Sequence, residues 1–266
     1  LVLGKSGQVA SELNKLDGIM TVDRSRADLT DPTACKNIIA DCMPEAVINA
    51  AAYTAVDKAE KEEKLATLIN GEAPGAMANA CAELNIPLVH ISTDYVFNGT
   101  GIAKWQVSDY PNPVNAYGKS KFLGEEAIKA SGCIYAILRT SWVVSAHGDN
   151  FVKTMLRLSE TKDTITVVDD QIGGPTCARD IAKTCIAIAR QLLHDKKKSG
   201  IYHYSGTPDV SWYQFANAIF EESRRKILVN PIATSEYPTA ALRPLNSRLD
   251  CRLTEKVFGL QRPYWR

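Results

Sequence analysis

The stretch LVLGKSGQVA, residues 1 to 10, combines a short apolar run, a glycine turn and the start of a helical pattern. Gly4, Gly7 and Ala10 recur in it at intervals of three residues. Glycine lets the backbone come close to a pyrophosphate, and the start of a helix supplies N–H groups without helical partners. The stretch therefore predicts a strand, turn and helix that bind a dinucleotide, although a tight turn without a ligand fits the same letters.

Apolar runs of similar length continue through the first two thirds of the chain. After the opening run they are IMTVD (19–23), EAVINAAA (45–52), IPLVHIS (86–92) and YAILRTS (135–141). Helical patterns alternate with them at 7–16, 32–41, 56–84, 115–130 and 151–160. Continuous apolar strands that alternate with helices are typical of a parallel sheet covered on both faces. We predict an α/β fold with a doubly wound parallel Rossmann sheet.

Helix starts and a change of pattern predict the domain organisation. LTDPT (29–33) offers Thr30 or Asp31 as a helix cap before Pro32, and Ser211 is a cap for a helix over 211–223. After residue 200 the alternation loosens into a strand over 200–206, that helix and a Pro-rich segment. We predict a dinucleotide-binding domain over 1–144 plus about 177–206, and a smaller C-terminal α/β substrate lobe over 145–176 and 207–266.

The composition excludes several classes of function. The 31 Lys and Arg balance 30 Asp and Glu, so no overall field attracts nucleic acid or an acidic membrane. The seven cysteines form no Cys-x-x-Cys pair and the four histidines lack helical metal-site spacing, which argues against disulfides and a metal centre. No apolar run approaches the ~18 residues of a membrane helix. We expect a cytoplasmic protein, with a few native residues before Leu1.

The second apolar run ends in an acidic residue suited to a dinucleotide. Asp23 lies nineteen residues beyond Gly4, where a carboxylate would meet the ribose hydroxyls of NAD. Arg24 and Arg26 follow directly, and an arginine there could accept the 2′-phosphate of NADP or could be an ordinary surface residue. The sequence leaves the choice between NADH and NADPH open.

Candidate catalytic residues follow the fourth run and open a later helix. Thr93 and Asp94 stand at a strand end, where Thr93 could hold a carbonyl oxygen and Asp94 could orient a sugar hydroxyl, or both could build a turn. In NAYGKSK (115–121), Tyr117 precedes Lys121 by one helical turn. A lysine ammonium would stabilise the phenolate of a tyrosine acid, although an aromatic residue beside a solvated lysine has the same spacing.

The order and spacing of these motifs resemble the extended short-chain dehydrogenase/reductase superfamily. GKSGQV, VINAAAYTAVDKAE, STDYVFNG, NAYGKSK, LRTSWV, DDQIGGPT and RPLNSRLD more closely resemble the dTDP-4-dehydrorhamnose reductase family, essentially from end to end. The resemblance implies reduction, by NADPH or NADH, of the C4 ketone of dTDP-4-dehydro-β-L-rhamnose in dTDP-L-rhamnose biosynthesis.

The same resemblance implies a role for individual residues. It makes Tyr117 the proton donor, with Lys121 lowering its pKa and binding the ribose, and it places Thr93 and Asp94 at the sugar. On the cofactor side it implies contacts from Gly7, Gln8, Val9, Asp23, Asp28, Leu29, Ala52, Tyr53 and Thr54. On the substrate side it implies contacts from Val56, Trp142, Arg243, Asn246 and Ser247.

Two substrate-side assignments have ordinary alternatives. Trp142 could be a core aromatic residue that follows a strand. The planar guanidinium of Arg243 suits a diphosphate, with Asn246 and Ser247 bonding the nucleotide portion, but a surface ion pair would use the same residue type.

Rival functions remain open from the residues alone. Sugar dehydratases of the superfamily carry Thr-Asp-Glu where this chain has Thr93-Asp94-Tyr95, so a dehydratase is disfavoured. Another nucleotide-sugar reductase or an epimerase remains an alternative. A noncatalytic regulatory subunit resembling the β subunit of methionine adenosyltransferase is the alternative from another class. A homodimer, and a Mg²⁺ ion at a subunit contact, are further expectations.

Overall fold

The five apolar runs form neighbouring strands of one parallel sheet in the computed structural model, which describes all 266 residues. These strands are β1 (Val2–Leu3), β2 (Thr21–Val22), β3 (Val47–Asn49), β4 (Pro87–Thr93) and β5 (Ile134–Thr140). The later strands are β6 (Val143–Val144), β7 (Thr164–Val168), β8 (Ile172–Gly173), β9 (Thr176–Cys177), β10 (Gly200–His203), β11 (Val210–Ser211), β12 (Leu228–Ile232) and β13 (Asn246–Ser247).

Ten α-helices connect and cover the strands. They are α1 (Gln8–Leu13), α2 (Pro32–Cys42), α3 (Val56–Ala59), α4 (Glu63–Thr67), α5 (Ala73–Leu84), α6 (Ala116–Ala130), α7 (Phe151–Leu158), α8 (Ala178–His194), α9 (Trp212–Glu222) and α10 (Arg252–Phe258). Asp31 caps α2 and Ser211 caps α9 through side-chain oxygens that accept backbone N–H groups, so both predicted helix starts are confirmed.

The main sheet has the strand order β2-β1-β3-β4-β5-β10, and all of its pairings are parallel. One buried apolar cluster packs α1 and α8 on one face, and a second packs α2 and α5 on the other. The predicted doubly wound parallel fold is therefore confirmed. From β1 the chain adds β2 on one side of the sheet and then β3 on the other, so the direction of strand addition reverses between β1 and β3. Such a reversal places a ligand crevice beyond the carboxyl ends of these two strands.

The pattern over 56–84 predicted one helix, and this was wrong. The structure divides the segment into α3, α4, a wider π-helical turn (Leu68–Glu72) and α5. Pro74 has no N–H to donate to the carbonyl four residues earlier, and the Asn70 carbonyl lies where α6 approaches. A Cβ on Gly124 of α6 would stand 2.1 Å from that oxygen, so this close crossing requires glycine.

Smaller sheets lie beside the main one. β11 and β13 flank β8, β12 pairs with β7, and β6 pairs with β9. A third apolar cluster, centred on Phe215 and Phe220 of α9, joins α7 and α9 to β7 and β12. The division of the chain into the two predicted domains stays a prediction.

Candidate functional site

Thr93 and Asp94 lie at the carboxyl end of β4. The Thr93 hydroxyl accepts the Tyr95 N–H (3.2 Å) and donates to Asp94 Oδ1 (3.2 Å), which stabilises a 3₁₀ turn after the strand. Asp94 is buried, and its Oδ2 has no hydrogen-bond partner. Burial raises the pKa of Asp94 to about 6, against opposing contributions from the Ser247 and Thr93 hydroxyls.

A pH titration of stability tests the buried Asp94 carboxylate. Because its folded pKa exceeds the ordinary 3.8, the folded protein binds this proton more tightly than the unfolded chain does. The contribution of Asp94 to the free energy of unfolding therefore falls as the pH rises from 3.8 to about 6, by at most ~3 kcal/mol.

We expect Asp94→Asn to remove that fall and to raise the free energy of unfolding at pH 7 relative to the original protein. Urea unfolding of both proteins between pH 4 and pH 7.5 measures the difference. Parallel pH dependence of the two free energies would contradict the assignment.

Tyr117 lies in the first turn of α6, close to Tyr95. Asn115 caps this helix by accepting the Gly118 N–H (2.8 Å), and the rings of Tyr95 and Tyr117 meet edge to face with centroids 5.5 Å apart. Burial raises the pKa of Tyr117 above its ordinary value, and the Thr93 hydroxyl opposes this shift. The phenol therefore holds its proton at neutral pH, as a proton donor must.

Lys121 is buried one turn along α6, and its amine points to β4. Its Nζ donates to the Ile91 carbonyl (2.7 Å) and lies 3.1 Å from Nε2 of His90. Burial lowers the pKa of Lys121 to about 8, while the charge of Glu125 opposes the shift. The amine bonds β4 and burial dominates the titration of the phenol, and the expectation that Lys121 lowers the pKa of Tyr117 stays a prediction.

The glycine turn lies at the end of β1, beside the strand-order reversal. Gly4 has φ +113°, a conformation that L side chains rarely adopt, and a Cβ there would lie 3.3 Å from the Ala50 backbone. Gly7 precedes α1 and supplies no side-chain cap, so the first N–H groups of the turn have no side-chain partner. Gln8 reaches across to accept from Ser145 and Asn150 (both 3.1 Å), whereas Val9 is buried in the core.

The acidic residues after β2 have local partners. Asp23 accepts from Ser25, and Lys5 of the glycine turn lies 3.5 Å from its Oδ2. Arg24 is exposed and pairs with Asp28 (2.8 Å), and that bond is the main reason why the pKa of Asp28 falls to about 2. The neighbouring Leu29 is buried.

The segment after β3 is held by an asparagine that the sequence analysis missed. Asn70, in the π-helical turn, accepts the Tyr53 N–H (2.8 Å) and donates to the Tyr53 carbonyl (3.0 Å) and the Ser120 hydroxyl (3.0 Å). Ala52 and Thr54 flank the clamped residue. Asn70 therefore joins the predicted cofactor segment to α6, the helix that carries Tyr117 and Lys121. Its signal in the sequence was the Asn-Gly pair and Pro74 inside a helical pattern.

Arg243 and Ser247 reach the same edge of the sheet. Arg243 pairs with Asp57, next to Val56 at the start of α3, while its buried Nη1 has no partner. Asn246 differs, because its amide donates to the carbonyls of Thr100 (3.3 Å) and Ala103 (2.7 Å) and accepts from Arg248. Asn246 would reach a nucleotide only after those bonds exchange, so its binding role stays a prediction.

Trp142 follows β5 with φ +49°, an uncommon conformation for a bulky residue. Its half-buried ring stacks on Trp212 of α9, with centroids 3.5 Å apart and planes 9° apart. A Cβ on Gly173 would lie 2.8 Å from the Trp142 ring, so that glycine is required for its placement.

A buried ion pair lies close to the carboxyl ends of β4 and β5. Arg139 of β5 and Glu125 of α6 bond at 2.6 Å, and Ser92 donates to Glu125 (2.5 Å). Ser92 and Arg139 are paired in the sheet, as are Thr93 and Thr140. This pair therefore stabilises the strand ends that carry the site. No group of three or more His, Cys, Asp or Glu residues is placed to hold a metal ion, and no helix is long and apolar enough to cross a membrane.

Comparison with known proteins identifies the family. Residues 1–266 match the family model described as RmlD substrate binding domain. The dTDP-4-dehydrorhamnose reductase of Sinorhizobium fredii is 42% identical, with 99% of this chain and 93% of the relative covered. The reductase of the same name from Escherichia coli K12 is 37% identical, with 100% and 93% covered.

A solved structure matches the whole architecture. The crystal structure of dTDP-4-dehydrorhamnose reductase from Bacillus anthracis, in complex with NADP, superposes with a TM-score of 0.92 at 37% identity. The match covers 99% of this chain and 94% of that chain. The overall fold described above is thus shared with a protein that was crystallised in complex with NADP.

Proposed function

The chain belongs to the dTDP-4-dehydrorhamnose reductase family, and on that premise we propose that it reduces the C4 ketone of dTDP-4-dehydro-β-L-rhamnose to dTDP-β-L-rhamnose. The observation that carries the proposal is the meeting of Thr93 and Tyr117 at the carboxyl edge of the sheet, the same edge that carries the glycine turn. A bound NADH or NADPH supplies the hydride.

The residues present fit such a cofactor. The positive φ of Gly4 and the missing side chain of Gly7 leave room for a diphosphate against the backbone, and the first N–H groups of the turn have no side-chain cap. Gly4, Gly7, Gln8 and Val9 would lie along the diphosphate. Asp23, Arg24, Asp28 and Leu29 would surround the adenosine, and Ala52, Tyr53, Thr54 and Lys121 would face the nicotinamide half.

The chain's own groups provide the proton and the orientation. Tyr117 keeps its proton at neutral pH, because an ordinary phenol titrates near ~10 and burial raises its pKa further, so it can donate to the oxygen that becomes negative during reduction. Thr93 would bond the same oxygen, and this bond strengthens as charge develops. The free Oδ2 of Asp94 would accept a sugar hydroxyl, and Trp142 would cover the sugar.

The preference between the two cofactors depends on the end of β2. The Asp23 carboxylate favours ribose hydroxyls, whereas Lys5 and Arg24 provide positive charge for a 2′-phosphate. We infer that both NADH and NADPH are accepted. The ratio of kcat/KM for the two cofactors measures the preference.

Arg243 is the proposed contact for the substrate diphosphate, because its buried Nη1 has no protein partner. Loss of a hydrogen bond to a charged group costs about 1.5–3 kcal/mol, so we expect Arg243→Met to raise KM for the dTDP-sugar by a factor of ~10 to 100. The KM for the cofactor should change little. Steady-state kinetics measures both constants.

Arg252→Met is the matched control for this variant, since Arg252 also pairs with an aspartate but is largely exposed on α10. It should leave both KM values unchanged. An unchanged KM for the dTDP-sugar in Arg243→Met would refute the proposed contact.

A direct assay tests the function itself. Purified protein should consume NADPH or NADH when dTDP-4-dehydro-L-rhamnose is added, with dTDP-L-rhamnose as the product identified by chromatography. Binding of nucleotide without consumption would favour a regulatory subunit. Isomerisation of the sugar without net consumption would favour an epimerase.

A homodimer, a Mg²⁺ ion at a subunit contact and a cytoplasmic location complete the proposal. A Mg²⁺ ion would need carboxylates from two chains, because one chain contains no cluster of three acidic, His or Cys ligands. Light scattering after size-exclusion chromatography, with and without a chelator, measures the mass of the assembly and its dependence on the ion.

A further inference from the structure

A line of buried hydrogen bonds runs from β3 through β4 to the catalytic helix. The Ala51 N–H donates to Asn49 Oδ1 (3.1 Å), and Asn49 Nδ2 lies 3.0 Å from His90 Nδ1. On its other side, His90 Nε2 lies 3.1 Å from Lys121 Nζ. Asn49, His90 and Lys121 are all buried, so these contacts are shielded from solvent.

The backbone determines the orientation of the first side chain in this line. Asn49 Oδ1 already accepts a backbone N–H, so the atom that faces His90 is the amide nitrogen, which can only donate. The Nδ1 atom of His90 must therefore accept. A neutral imidazole that accepts at Nδ1 carries its proton at Nε2.

The ring is neutral for two independent reasons. An imidazolium would place an Nδ1–H against the amide hydrogens of Asn49, and both groups would be donors. Burial is also the main reason why the pKa of His90 lies well below its ordinary value.

The Nε2–H bond of His90 therefore points at the lysine amine. Lys121 donates one N–H to the Ile91 carbonyl at 2.7 Å, so its contact with His90 at 3.1 Å is a hydrogen bond only if the nitrogen lone pair accepts. An ammonium has no lone pair and would face the Nε2–H as a second donor.

We propose that His90 is a positioning residue for Lys121: Asn49 holds the ring as the Nε2–H tautomer, and this N–H directs the lone pair of the neutral lysine amine towards β4. The inference rests on the proposed function and on the expectation that a protonated Lys121 lowers the pKa of Tyr117. It adds that the lysine gains its proton only when it turns away from His90, towards the cofactor side of the site.

The charged and titratable groups around the Lys121 amine come from α6 itself and from the strands β4 and β5. Glu125 lies one turn along α6 and favours the ammonium, but Arg139 of β5 is paired with that carboxylate. His90 of β4 opposes the ammonium from the other side. Burial is the first cause of the lowering of the pKa of Lys121 to about 8, and the charge of Glu125 opposes it.

The tautomer can be measured without turnover. In protein labelled with ¹⁵N-histidine, we expect His90 to keep a protonated Nε2 and an unprotonated Nδ1 from pH 5.5 to pH 9, with assignment by loss of its signal in His90→Asn. A protonated Nδ1, or an imidazolium within this range, would overturn the proposal. Neither outcome depends on whether the protein reduces a dTDP-sugar.

The lysine is followed in the same way. In protein labelled at lysine Cε, Lys121 should titrate below the surface lysines, with assignment by its absence in Lys121→Arg. His90→Asn keeps an oxygen for the Asn49 amide but is too short to reach Nζ. This variant loses the His90 Nε2–H that opposes the charged form of the lysine. The titration midpoint of Lys121 should therefore rise by roughly half to one pH unit.

The pH profile of kcat/KM connects this shift to the reaction. Because Lys121 must be protonated to support Tyr117, the basic limb of the profile should move to higher pH in His90→Asn by the same amount. His203→Asn is the matched control, since His203 is equally buried but bonds the Trp105 carbonyl away from Lys121. His203→Asn should lower the free energy of unfolding without moving the basic limb of the kcat/KM profile.

The outcomes separate the two proposals. A midpoint of Lys121 that is identical in the original protein and in His90→Asn overturns the role of His90, whatever the activity. A shifted midpoint in a protein that does not reduce the dTDP-sugar supports His90 and refutes the proposed function.

Discussion

Replacing Tyr117 by Phe is expected to reduce turnover by a factor of ~10² or more, because it removes the proposed general acid and keeps the ring. The hydroxyl lies at the carboxyl edge of the sheet beside Thr93, and burial keeps it protonated at neutral pH. The alkoxide that forms at C4 would then take its proton from water, which is not positioned by the protein. The loss should appear in kcat, with KM for the cofactor little changed.

The measurement is the rate of NADPH consumption with dTDP-4-dehydro-L-rhamnose under saturating conditions. Tyr110→Phe is a suitable control, because Tyr110 is largely exposed and its change also removes one phenolic hydroxyl. Turnover of Tyr117→Phe equal to that of the original protein would rule out Tyr117 as the acid.

The second large effect is on stability and concerns Arg139. Arg139→Met leaves the buried Glu125 without its cationic partner, and only the Ser92 hydroxyl remains within hydrogen-bond distance of the carboxylate. Breaking a buried ion pair by removal of one partner costs about 3–5 kcal/mol, because an uncompensated charge is left in the interior. We expect a fall of that size in the free energy of unfolding at pH 7, measured by urea denaturation.

The double variant Arg139→Met, Glu125→Leu separates charge from packing. Replacing both charges by apolar groups should recover most of the loss, since apolar substitutes for buried ion pairs are often neutral or stabilising. A double variant no more stable than Arg139→Met would show that the loss comes from packing, including the contact of Arg139 with the Phe97 ring. The comparison also remains informative if the single variant fails to fold.

The effect on activity follows from the sheet register. Ser92 and Arg139 are neighbours in β4 and β5, and the next pair, Thr93 with Thr140, ends both strands. A disturbed ion pair would therefore shift Thr93 relative to Tyr117 of α6. The double variant should recover kcat only as far as it restores this spacing.

Much of the fold could be predicted from the sequence because its signals are local. Each of the five apolar runs became a strand, since an apolar run of that length is stable only when both faces of the strand are buried. The caps Asp31 and Ser211 could be identified because a capping side chain bonds N–H groups two or three residues away.

The helix over 56–84 shows where a local signal is insufficient. The apolar spacing is compatible with one continuous helix, but Pro74 removes a donor and α6 crosses at Asn70. The π-helical turn that results depends on Gly124, fifty-four residues further along the chain. No pattern within the segment contains that information.

The sequence by itself determined the doubly wound sheet, the glycine turn and the presence of Tyr117 and Lys121 on one helix. Only the tertiary structure decided that the Lys121 amine bonds Ile91 and His90, that Asn246 holds the loop at Thr100 and Ala103, and that Arg243 keeps one nitrogen free. Periodicity reports which side of an element is buried. The partner of a buried polar group is chosen by whichever donor or acceptor the packing of distant segments brings within ~3 Å.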